Sequence, residues 1–121
     1  MLFDDQAAAQ ESIDHVALTF EACPVEQFDP NEVHHDVTTS GQGGAFLADV
    51  ADSSLAVSSR STYQQAPTLG LTEMRWVRIA NAVIFTYDTG EAMSDDPGPG
   101  REATQRAVQM VTIWCETNGG C

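Results

Sequence analysis

Lysine is absent from the 121-residue chain, and its five basic residues, Arg60, Arg75, Arg78, Arg101 and Arg106, stand against eighteen carboxylates for a formal charge of −13. Such a body is repelled by DNA, RNA and anionic membrane surfaces, so nucleic acid is excluded as a partner. Long apolar runs are missing too: residues 80–87 are interrupted by Asn81 and Thr86 and fall far short of the ~20 residues that span a bilayer. No G-x-S-x-G, H-E-x-x-H or phosphate loop occurs, so the signatures of the common hydrolases, zinc proteases and nucleotide binders are lacking and no catalysis or cofactor is expected. Cys23, Cys115 and Cys121 form no C-x-x-C pair, which argues against a zinc site and a thioredoxin-like motif. Their odd number suits one disulfide and a spare thiol in an exported protein, or three thiols in a cytosolic one. The opening residues lack a basic n-region and an apolar h-region, so a secretion signal is expected to have been cut away.

What is present is enough for one core, and the chain reads as a single domain over residues 1–121. Residues 1–59 hold eleven acids and no base, and residues 60–121 hold seven acids and all five arginines, giving −11 and −2. An acidic half of this kind could meet a cationic partner or divalent cations; its plainer role is a solvated face that keeps the protein in solution.

Apolar residues Ile13, Val16, Ala17, Phe20 and Cys23 recur at helical spacing, which predicts a helix over residues 5–23 stopped by Pro24. Residues 24–31 have loop chemistry, and residues 32–39 are β-branched enough for a short strand. After the break at Gly41, Gly43 and Gly44, residues 46–52 read as coil and residues 54–63 as a strand with one polar face. Residues 71–79 and 82–88 predict a hairpin at the sheet's centre, closed by Ala80-Asn81 with Asn81 supplying a positive φ. The turn-rich stretch 90–100 leads to a helix over residues 101–115, with Ala103, Ala107, Met110, Val111 and Trp114 on one face and Asn118-Gly119-Gly120 beyond its end. The expected fold is therefore α+β: an antiparallel sheet of about four strands packed on one face by N-terminal and C-terminal helices lying side by side.

Candidate chemistry is sparse. His34-His35-Asp36 clusters ligand-type residues, but neighbours on a strand point to opposite faces, so the imidazoles do not share an ion and no metal is expected. His15 reads as a solvated helix residue, and Asp95 and Asp96 as an acidic turn without the spacing of a calcium loop. The serines at 53, 54, 58, 59 and 61 suit a strand's polar face. Trp76, flanked by Arg75 and Arg78, forms the candidate ligand-binding edge, fit to receive a carboxylate or to pair with Glu73; Trp114 sits on the apolar helix face.

The segments from Asp52-Ser-Ser-Leu-Ala-Val-Ser-Ser-Arg60 and Met74-Arg-Trp-Val-Arg-Ile-Ala-Asn-Ala-Val-Ile-Phe85 to Tyr87 resemble the extracellular sensor-type domains of actinobacterial lipoproteins, similar to the C-terminal domain of PknH-like serine/threonine kinases. The core of the likeness is Val77-Arg78-Ile79-Ala80-Asn81-Ala82-Val83, with Ala80 where that family usually has glycine. The resemblance extends over residues ~5 to 115. It implies a secreted or lipid-anchored cell-surface domain with a groove, a binding role without catalysis, and a structural disulfide. Cys23 with Cys115 is then the first pairing to expect, leaving Cys121 free; Cys115 with Cys121 and Cys23 with Cys121 stay open. The expectation is an extracellular, non-catalytic binding or sensor module with a small ligand or a protein partner. The alternative is a structural subunit of a virion, pilus or other surface assembly, for which self-association would be the mark. A small enzyme built on unmotifed carboxylates is the weakest reading.

Overall fold

Asp5 starts the first helix: its side chain accepts from the Ala8 N–H at 2.7 Å, satisfying one of the donors a helix N-terminus leaves open. In the computed structural model, which describes residues 1–28, 31–39, 51–62, 69–92 and 98–120, α1 then runs Gln6–Ala22 and ends where the Cys23 N–H reaches the Phe20 carbonyl and Pro24 follows. Ala9, Ile13 and Ala17, spaced by four, are its buried stripe.

Five strands follow: β1 (Val25–Phe28), β2 (Asn31–Thr39), β3 (Ser53–Thr62), β4 (Leu69–Ile79) and β5 (Ala82–Ala92), and then α2 (Gly98–Thr117). The sheet keeps chain order and every neighbouring pair is antiparallel, so the fold class is α+β with an open antiparallel sheet. β1 is a strand where loop was expected, paired with β2 from Val25–His34 to Phe28–Asn31. Neither helix is long and apolar enough to cross a membrane, among the described residues.

The registers carry no bulge, so side-chain alternation is maintained across the sheet. Leu55, Val57, Trp76 and Val83 join Ala9, Ile13 and Ala17 of α1 in one core, with Phe3, Val16, Phe20, Val37 and Met74 around it. Val77 and Ile79 join Ala107 and Val111 of α2 in a second, with Ala51, Ile84, Trp114 and Cys115 around it. Trp76 and Val77 are consecutive on one strand and so face opposite ways. The two helices accordingly cover opposite faces of the sheet, α1 across β2 to β5 and α2 over β4 and β5, which corrects the expectation that they lie side by side on one face. The physical reason is that β4 is apolar on both sides, with Met74 and Trp76 on one and Val77 and Ile79 on the other, and each side needs its own cover.

The β4–β5 hairpin closes at the Ile79–Ala82 pair over two residues. Ala80 has the positive φ, 51°, where Asn81 was expected to take it. Asn81 has other work: its side-chain amide donates to the Phe3 carbonyl at 2.7 Å. The chain's first residues lie against the same strand. Met1 and Val83 exchange both backbone hydrogen bonds at 2.8 Å, and the Phe3 N–H donates to Asn81 at 2.9 Å, forming a short antiparallel bridge centred on Leu2 and Ala82.

Candidate binding site at the β5 edge

The sheet's alternation separates the three residues singled out for ligand contact. Trp76 and Arg78 face α1, and Arg75 faces α2. Trp76 is 9% exposed, stacked on Phe85 at 4.7 Å between centroids and tilted against Phe20 at 6.3 Å. Arg75, 5% exposed, pairs with the 6%-exposed Glu73 at 3.1 Å. Its other donors reach the Met74 carbonyl (2.9 Å), the Gly100 carbonyl (3.1 Å) and the Thr104 hydroxyl (3.3 Å). Glu73 also accepts from the Ser58 hydroxyl at 2.5 Å. This buried cluster ties the first turns of α2 to β3 and β4 and commits four Arg75 donor bonds within the fold.

Arg78 is committed as well. Its Nε donates to Gln10 (2.8 Å) and Ser53 (3.1 Å), its Nη1 donates to the Ala80 carbonyl (2.9 Å), and Asp52 lies at 3.6 Å. Asp52 in turn accepts from the Ala80 N–H at 2.7 Å, and its own N–H donates to the Arg78 carbonyl. Asp52, Arg78, Ala80 and Asn81 thus knit the hairpin turn to the start of β3, to α1 and to the N-terminal segment.

The histidine pair divides as the strand requires. His34 lies 3.2 Å from Glu32 on the α2 side, while His35 lies between Ser59 (2.6 Å) and Glu26 (2.9 Å) on the α1 side, edge-on to Phe20. Asp36 pairs with Arg60 at 2.6 Å. Among the described residues no group of three ligand-type side chains could hold a metal. Asp95, Asp96 and Cys121 lie outside the described residues. Cys115 is disulfide-bonded and Cys23 is a free, exposed thiol. The Cys23–Cys115 pairing is therefore not formed: Cys23 sits past the end of α1 with its Sγ 3.8 Å from the Val25 carbonyl, whereas Cys115 is on the opposite face of the sheet beside the α2 core.

Among the described residues, the outer edge of β5 beyond Val83 is left open. Because Val83 exchanges its backbone bonds with Met1, antiparallel alternation directs the N–H and C=O groups of Phe85, Tyr87, Thr89 and Glu91 away from β4. No described residue pairs with them. Phe85 and Tyr87, 43% and 62% exposed, are stacked at 5.9 Å and 16° and extend the Trp76 ring into a three-membered aromatic row. Across the edge, on the α2 side, Ile84, Met110, Ile113 and Trp114 line a small apolar depression of about 190 Å³. Large apolar side chains thus flank the edge on both faces. Toward the end of β5 lies a second cavity, about 280 Å³, among whose walls are Glu73, Asp88, Glu91, Glu102 and Arg106. Arg106 pairs with Asp88 at 3.0 Å, which leaves Glu91 and Glu102 to make this end acidic.

No family model matches the chain, and no curated protein or solved structure matches it either.

Proposed function

We propose that the chain is a non-catalytic binding or sensor module of a cell-surface or secreted protein, and that it engages its partner along the β5 edge. The observation that carries this reading is the exposed, stacked Phe85–Tyr87 pair on a strand whose outward backbone groups have no described partner. Two aromatic rings left in water beside unpaired strand groups are costly to keep and prone to association, and they mark interaction surfaces. The disulfide at Cys115 supports an oxidising compartment, as the lipoprotein-type resemblance implies. The polar clusters on the sheet's faces, Glu73–Arg75–Ser58 and Arg78–Gln10–Ser53, are satisfied internally and have structural work to do.

The test is site-specific photocrosslinking on the cells that make the protein. With p-benzoylphenylalanine in place of Tyr87, irradiation is expected to give a discrete adduct; in place of Val25, exposed on β1 at the opposite side of the sheet, it is expected to give none. Equal adducts at both positions, or none at 87, would remove the β5 edge as the binding surface.

A further inference from the structure

Resting on the reading of the β5 edge as the binding surface, we propose that this edge takes up an extended peptide segment of a partner protein in antiparallel pairing. The segment carries apolar side chains at alternate positions and basic residues at its N-terminal end.

The edge already accepts a strand in this direction. Residues 1–3 run antiparallel to β5 with reciprocal bonds between Met1 and Val83, so the donor and acceptor geometry needed for a further strand is formed at one end. The next outward groups, from Phe85 through Glu91, continue the same line over about 20 Å at ~3.4 Å per residue. A strand laid there sends alternate side chains to the two faces. One set meets Phe85 and Tyr87, and the other meets Ile84, Met110 and Ile113. Recognition by main-chain pairing with side-chain pockets on alternate sides is the established physics of strand addition.

Direction and charge fix the rest. In antiparallel pairing the N-terminal end of the added segment lies beside Glu91 and Glu102, which favours lysine or arginine there. The same charge argues against a second copy as occupant, because joining two edges brings together two bodies of −13 each.

The experiment is an amide NMR titration of the full chain with the capped peptide Lys-Lys-Val-Thr-Val-Thr-Val. Saturable shifts are expected along residues 84–91, with at least tenfold slower hydrogen exchange at the Phe85, Tyr87 and Thr89 amides. Tyr87→Pro deletes an outward donor that an edge strand can lose, and it is expected to weaken binding tenfold or more. A peptide N-methylated at alternate residues should lose binding likewise, and that result stands even if the proline variant does not fold. Shifts centred elsewhere, no shifts, equal binding of a peptide with glutamates for lysines, or a free protein that dimerises through residues 84–91 would each overturn the proposal. A crosslink at position 87 without peptide binding leaves the binding surface standing and removes only the peptide; no crosslink at 87 removes both.

Discussion

Replacing Arg75 by alanine separates a structural arginine from a ligand-binding one. The substitution deletes the ion pair with Glu73 and the bonds to Gly100 and Thr104, and it leaves a 6%-exposed carboxylate with the Ser58 hydroxyl. Breaking a buried pair from one side costs about 3–5 kcal/mol, because the orphaned charge stays desolvated. Against a typical domain stability of about 5–15 kcal/mol this is a large fraction. At roughly 4 °C per kcal/mol for a chain of this size, the melting temperature should fall by about 12–20 °C. Adding Glu73→Gln removes the orphaned charge and should restore roughly 1–3 kcal/mol. Guanidinium unfolding followed by the fluorescence of Trp76 and Trp114 measures all four corners of the cycle. A single-variant loss under about 1 kcal/mol, the value of an exposed pair, would refute the reasoning. So would a double variant no more stable than Arg75→Ala.

Ala80→Gly should stabilise the protein by about 1 kcal/mol, since a left-handed non-glycine residue costs roughly 1–2 kcal/mol and the added freedom of the unfolded chain returns about 0.4–1 of it; an unchanged or lower melting temperature counts against the turn as described. Iodoacetamide applied to the native, unreduced protein should label Cys23 and spare Cys115, and peptide mapping that finds Cys23 protected would contradict the cysteine assignment. Leu55→Ala, at a fully buried position under α1, should cost about 2–5 kcal/mol, whereas Phe85→Ser should change denaturant stability far less; equal losses would mean that Phe85 belongs to the core.

Local pattern made both helices, β3 and the β4–β5 hairpin legible, because each has a period that its neighbours do not disturb. β1 was hidden by its length: four residues after Pro24 hold too little pattern to be told from loop. The two-sided cover was written in Trp76-Val77 and Ala82-Val83-Ile84, where apolar residues follow one another without alternation, a mark of burial on both faces. The same rule of alternation already placed Arg75 and Trp76 on opposite sides, so those two could not share a ligand face. Phe85 and Tyr87 were visible as alternating aromatics, but their exposure depends on β5 being an outermost strand and on α1 covering Val83 while leaving Phe85 and Tyr87 exposed. Both are long-range facts that residues 82–92 do not contain.

Beyond Val83 the outward groups of β5 have no partner among the described residues, and amide hydrogen exchange on the free protein tests whether that edge is open. The amides of Ile84, Thr86 and Asp88, bonded to β4, should exchange slowly, and those of Phe85, Tyr87 and Thr89 fast, giving a two-residue alternation along the strand. Uniform protection from residue 84 to residue 89 would show the edge already covered and contradict the account.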